Sequence, residues 1–184
     1  VRKVETTVGG NTQTIASSIS YLPFGPMNTL LFGNGIIRTE EYDLDYRLTD
    51  IIGNVIYYTY THDGVGNITT RNGPLLSIKN YQYDNVNRLT YANIDSQVVS
   101  YSETESFTYD DVGNRLTRTL NSSTDNYSYG SSDHHLEQIT NSTVTGFTHD
   151  AVGNTLTTND YIFSYGDNNR LETVEDNSST LLAT

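Results

Sequence analysis

Tyr109-Asp110-Asp111-Val112-Gly113-Asn114-Arg115-Leu116 is the stretch on which the fold depends, because the chain keeps repeating it. The phrase is an aromatic residue or His, usually Asp, a short turn, often Asn or Arg, then Leu or Ile. It occurs seven times. Upstream copies are Tyr42-Asp43-Leu44-Asp45-Tyr46-Arg47-Leu48, His62-Asp63-Gly64-Val65-Gly66-Asn67-Ile68 and Tyr83-Asp84-Asn85-Val86-Asn87-Arg88-Leu89. Downstream, a degenerate copy runs from Tyr129 to Leu136. It is followed by His149-Asp150-Ala151-Val152-Gly153-Asn154-Thr155-Leu156 and by a copy from Tyr165 through Asn169 and Arg170 to Leu171. The starts lie 20, 21, 26, 20, 20 and 16 residues apart. Such a period marks a repeat architecture, whose units are each too small to bury a core alone. An active site is usually assembled once, so sevenfold repetition favours scaffold over catalyst.

Alternation sets the secondary structure. Tyr58, Tyr60 and His62 share one parity, as do Phe107 with Tyr109, and Tyr161 with Phe163 and Tyr165. Period two places each set on one face of a strand, and the Thr and Tyr content suits strands. Each aromatic is followed by Gly and Asn where a positive φ is needed, and the leading Asp accepts from backbone amides two residues on. The expected fold is all-β, with tandem antiparallel hairpins forming a curved strip or spiral sheet. The apolar residue follows the aromatic by seven positions at Leu116, Leu136 and Leu156 and by six elsewhere. Bulges are expected at those three places to keep the face.

Three stretches depart from the repeat. Residues 1–35 read as a variant lead-in unit, with turn residues in Tyr21-Leu22-Pro23-Phe24-Gly25-Pro26 and Phe32-Gly33-Asn34-Gly35. Residues 36–174 form the hairpin array, in which Ala92–Ser106 reads as a longer hairpin tip or loop. The tail 175–184 is polar and expected to fray. The whole reads as one continuous unit cut from a longer chain.

Composition narrows the partners. Leu, Ile, Val and Phe make up 44 of 184 residues, close to the ~20% below which disorder becomes the default. The 15 tyrosines supply the large buriable area that argues for order. A formal charge of −12, with two lysines against eight arginines, disfavours nucleic acid and anionic membranes. It leaves a cationic partner open. Without cysteine there is no disulfide, thiolate metal site or Cys nucleophile. No stretch approaches the ~18 apolar residues of a membrane span.

The set Tyr-Asp-x-x-Gly-Asn-Arg-Leu at Tyr109–Leu116, with its relatives, resembles the Rhs/YD-repeat family, including the YD repeats of insecticidal toxin C subunits and of teneurins. The lead-in from Tyr21 to Gly35 resembles bacterial members. The likeness runs from about Tyr21 to Val174. It implies hairpins joined edge to edge into a strip that spirals into a hollow shell, enclosing a C-terminal toxin in bacterial members. Other members are linked to adhesion and carbohydrate binding. Gly130 and Gly166 stand where Asp is usual, and Tyr46 and Asn87 replace the turn Gly. The family's self-cleaving core carries Asp-Pro signatures, and no Asp-Pro pair occurs here. The resemblance therefore implies a piece of wall, secreted or delivered to a surface, without plug or cargo of its own. Its implied partners are further repeats of its parent chain and an enclosed C-terminal domain.

Candidate chemistry is sparse. Asp43, Asp63, Asp84, Asp110 and Asp150 sit at equivalent turns, strands apart rather than within the about 5–9.5 Å of a glycosidase pair. They read as turn formers. His134 and His135 are neighbours on a strand and face opposite ways, so they make a poor metal site. His62 and His149 fill the aromatic slot. No cofactor, metal or catalytic residue is assigned. The structural residues of the motif are Tyr42, Asp43, Leu48, His62, Asp63, Gly66, Asn67, Tyr83, Asp84, Arg88, Leu89, Tyr109, Asp110, Gly113, Asn114 and Leu116 in the first four copies. In the last three they are Tyr129, Leu136, His149, Asp150, Gly153, Asn154, Leu156, Tyr165, Arg170 and Leu171. The expected role is a non-enzymatic shell segment that can self-associate through its edges. The alternative is a carbohydrate-binding or adhesion module that stacks sugars on Tyr161 and Tyr165.

Overall fold

The computed structural model describes residues 3–74, 77–96, 98 and 100–183. They group into two compact units, one up to Thr104 and one from Glu105. In the first unit the strands are β1 (Lys3–Val8), β2 (Asn11–Tyr21), β3 (Met27–Phe32), β4 (Ile37–Tyr42), β5 (Leu48–Gly53), β6 (Tyr57–His62), β7 (Ile68–Gly73), β8 (Ser77–Tyr83) and β9 (Leu89–Ser96). Each pairs antiparallel with the one before it.

The second unit takes in the paired residues of β10 (Tyr101–Tyr109), then β11 (Arg115–Leu120), β12 (Ser123–Tyr129), β13 (Leu136–Thr140) and β14 (Val144–Gly146). A second sheet follows, of β15 (Thr148–His149), β16 (Thr155–Thr157), β17 (Tyr161–Tyr165), β18 (Leu171–Asp176) and β19 (Leu181–Ala183). Among the described residues there is no α-helix. The all-β hairpin reading is thus the observed architecture.

The predicted alternation separates two faces. Partners Glu40↔Ile51, Ile51↔Tyr58 and Tyr60↔Arg71 share the aromatic face of the first unit. In the second unit Phe107↔Arg118 and Tyr127↔Ile139 do the same. Arginines lie across the rings, Arg71 at 5.2 Å from the Tyr58 centroid and Arg115 at 4.3 Å from that of Tyr127. Arg118 bridges three strands, with Glu105 at 2.5 Å and Asp125 at 3.6 Å. The other face is made of small hydroxyl and amide side chains joined across strands. Examples are Thr61–Thr69 at 2.8 Å, Thr108–Thr117 at 2.7 Å and Ser164–Thr173 at 2.6 Å.

No conventional core results. Ala16 is the one buried apolar residue among those described, and no side chain is fully buried. Element contacts run between consecutive strands, so each half-buried residue is covered by its cross-strand neighbours. Stability then rests on ladder hydrogen bonds and cross-strand pairs, each pair worth about 0.2–1 kcal/mol. Glu40, the one buried charge among the described residues, is compensated by Arg38 and by the Tyr42 hydroxyl at 2.5 Å.

Three expectations bear on the strands. First, the bulges expected in the copies ending at Leu116, Leu136 and Leu156 are present, and every other copy has one too, because the register shifts immediately before the aromatic of each copy. Tyr109 and His149 pair with Arg115 and Thr155, six residues on as in most copies, so Leu116 and Leu156 are the bulged residues themselves. Leu116 is exposed as a consequence. Only the Tyr129 turn is longer, and it pairs with Leu136. Second, the segment Ala92–Ser106 is largely strand, since β9 extends to Ser96 and β10 begins at Tyr101. Third, the polar tail holds a turn and a short strand among the described residues. Asp176 Oδ1 accepts from Ser178 N at 2.8 Å and Thr180 N at 2.9 Å, and this turn returns the chain as β19 beside β18.

Candidate functional site

In each unit, successive hairpins place all the motif turns along one sheet edge. One backbone pattern recurs there. The amide after the aromatic bonds the carbonyl four residues on, and the amide three residues on bonds back. Examples are Asp43 N to Arg47 O at 3.0 Å and Tyr46 N to Asp43 O at 3.1 Å. This is a β-turn followed by a left-handed residue, the usual three-residue hairpin loop with a bulge. The left-handed position is Gly66, Gly113 or Gly153, with φ of 99°, 100° and 94°, or Tyr46, Asn87 or Asn169, with φ of 60°, 66° and 57°. The turn at Leu22–Pro26 shows the same pattern, with Leu22 N to Pro26 O at 3.0 Å and Gly25 N to Leu22 O at 3.1 Å.

Each motif Asp is used up within its own turn. Asp63 Oδ1 accepts from Val65 N and Asn67 N at 3.0 and 2.9 Å, and its Oδ2 accepts from Asn67 Nδ2 at 2.9 Å. Asp110 and Asp150 do the same with Asn114 and Asn154. At Asp43 and Asp84 the donor to Oδ2 is the Nε of Arg47 or Arg88, at 2.7 and 2.6 Å. These bonds favour the ionised carboxylate, so every one of these acids is held below the ordinary carboxylate range. For Asp43 and Asp84 the backbone amide of the Arg is the main cause, and for Asp63 and Asp150 it is the Asn side chain. At Asp110 desolvation pushes upward most strongly, but the combined bonds from the Asn114 turn outweigh it. A carboxylate so engaged clamps its turn.

Where Asp is missing, another carboxylate fills its place. A Cβ on Gly130 would meet Asp133 Oδ1 at 2.1 Å, and one on Gly166 would meet Glu172 Oε1 at 2.4 Å. Sequence reading assigned no role to Asp133 or Glu172. The signal was the pairing of a Gly at the Asp position with an acid three or six residues later.

Side chains also join each turn to the next along the edge. Tyr46 Oη donates to Pro23 O at 3.0 Å, and Arg47 Nη1 donates to Asp63 O at 2.9 Å. Asn67 Nδ2 donates to Asn87 Oδ1 at 2.9 Å. In the second unit Asn114 Nδ2 lies 3.2 Å from His134 Nδ1, and Asn154 Nδ2 donates to Asn169 Oδ1 at 3.3 Å. The rings of His135 and His149 are 5.0 Å apart, and a Cβ on Gly153 would lie 2.9 Å from His135 Nε2. The sequence reading saw turns but not this seam. It also did not foresee that His135 meets His149.

The motif tyrosines tie the repeats together across strands. Tyr42, Tyr83 and Tyr129 donate through Oη to Met27 O, Ile68 O and Arg115 O at 2.9, 2.9 and 3.0 Å, each on the preceding strand and so in the preceding repeat. Burial pushes the phenols of Tyr83 and Tyr129 up. Burial first, and then Glu40, push that of Tyr42 up to about 12. Tyr83→Phe or Tyr129→Phe should cost about 1 kcal/mol in chemical denaturation, through the orphaned carbonyl. A cost indistinguishable from zero would mean that the ring alone matters. His62 and His149 carry no hydroxyl for this bond. Tyr161 is exposed, and its ring is tilted 55° to that of Phe163, with Tyr165 half-buried on the same strand face. Among the described residues no group of three or more His, Asp or Glu could hold a metal ion.

No family model and no curated protein matches the chain. Solved structures do. The crystal structure of TcdB2-TccC3-Cdc42 superposes with a TM-score of 0.78 at 18% identity, over 98% of this chain and 11% of that one. TcdB2-TccC3 without its hypervariable C-terminal region gives 0.66 at 16% identity, over 95% and 12%. The Photorhabdus luminescens Tc holotoxin pore gives 0.61 at 16% identity, over 92% and 9%. The chain therefore has the fold of a segment of these Tc toxin chains, spanning about a tenth of their length. The hairpin array implied by the YD-repeat likeness is the one observed.

Proposed function

We propose that the chain is a non-enzymatic wall segment of an Rhs/YD-repeat protein, built by pairing hairpin edges and serving to enclose a C-terminal toxin or other cargo. The observation that carries this reading is the use of every motif Asp as a turn clamp, repeated along one edge of coreless sheets. The fold shared with TcdB2-TccC3 chains supports it. Its partners are further repeats of a parent chain and the enclosed domain, and its destination is outside the producing cell. Removing the hairpin Tyr57–Gly73 from the full-length parent should expose the enclosed domain to protease. A deletion mutant that stays as resistant as the parent would count against enclosure.

Edge strands make a second measurable demand. β1 is exposed along its length, and β19 is exposed too. Unpaired edges template association, so sedimentation of the isolated chain should show concentration-dependent oligomers. The adhesion alternative predicts glycan-array binding that Tyr161→Ala abolishes, and the tilted Tyr161–Phe163 pair offers only a small stacking surface.

A further inference from the structure

Adjacent turns on the seam are two strands apart, a gap of about 9.5 Å set by strand spacing alone. The gap is filled in two ways. A long side chain four residues after the Asp position reaches across and faces a glycine, as Arg47 does at Gly66, where an added Cβ would lie 3.9 Å from Arg47 Cδ. His135, five residues after the Asp position in the longer Tyr129 turn, does the same at Gly153. A short side chain at that position meets a second short one from the next turn's left-handed residue, as Asn67 meets Asn87, Asn114 meets His134 and Asn154 meets Asn169. Pro26 reaches nowhere, and the next turn answers with the longest partner, Tyr46, which lies over Gly25.

Turns of the two kinds alternate without exception in the sequence. Tyr46-Arg47, Asn87-Arg88, His134-His135 and Asn169-Arg170 interleave with Gly66-Asn67, Gly113-Asn114 and Gly153-Asn154. The socket turns, with Gly then Asn, also split the Asn amide's two N–H bonds between their own Asp and the next turn.

We infer that this alternation is a pairing code that sets which hairpins can lie side by side. The inference rests on the wall reading.

A double-mutant cycle tests the code. Arg47→Asn keeps the bond within its turn, since Asn67, Asn114 and Asn154 all bond their own Asp from that position. Gly66→Asn puts Asn where Asn87 and Asn169 already stand with positive φ. Each single variant should lower the melting temperature, and the double should recover at least about half of the summed loss through an Asn–Asn seam. Additive losses would overturn the code while leaving the wall reading intact.

Discussion

Gly33→Ala is expected to destabilise the first unit by about 3 kcal/mol, the largest effect of any single substitution considered. A Cβ at Gly33 would sit 1.8 Å from Thr14 O and 2.9 Å from Thr14 C, and both are backbone atoms that no rotamer change can move. Gly33 N also donates to Ile15 O at 2.8 Å, so the clash can be relieved only by parting β3 from β2. Gly35→Ala is the matched control. Its φ is +83° but nothing lies within 4 Å of the added atom, so it should lose only the left-handed backbone cost of about 1–2 kcal/mol. Urea midpoints for the two variants decide the matter. If Gly33→Ala were no worse than Gly35→Ala, the close approach of β2 and β3 would have to be abandoned.

Acid should undo the fold through its turns. Asp43, Asp63, Asp84, Asp110 and Asp150 are all held below the ordinary carboxylate range in the folded chain. A depressed folded pKa gives stability that is fully present above the unfolded value, about 3.9. That stability is lost as pH falls through the lower folded values. The melting temperature should therefore hold down to about pH 4 and drop steeply below it, with the five turns adding their losses. Changing all five to Asn keeps an acceptor for the backbone amides but removes the charge. This variant should melt well below the parent at pH 7 and show a much flatter acid limb. An acid limb as steep as the parent's would show that other carboxylates govern it, and the turn-clamp account would be wrong.

Much of the site was legible because its chemistry is local. Asp63, the left-handed Gly66 and Asn67 are separated by at most four residues, and the turn they make follows from φ preference and Asx bonding alone. The seam was not legible, because its contacts join residues 15 to 23 apart whose partners depend on strand register. Register also decides what the bulges do. Counting from Tyr109 to Leu116 called for a bulge, but only the ladder, which pairs Tyr109 with Arg115, shows that Leu116 itself is pushed out. Likewise, the polar composition of residues 177–180 hid the fact that Asp176 closes a turn of the motif kind.

By itself the sequence determined the strand period and the turn positions, since each depends on residues within one hairpin. Only the tertiary structure decided which turn touches which, and that the aromatic face is held by arginines and reaching phenols. The physical reason is that hairpin chemistry is short-ranged. The relation between hairpins is set by a backbone ladder whose spacing no single residue encodes.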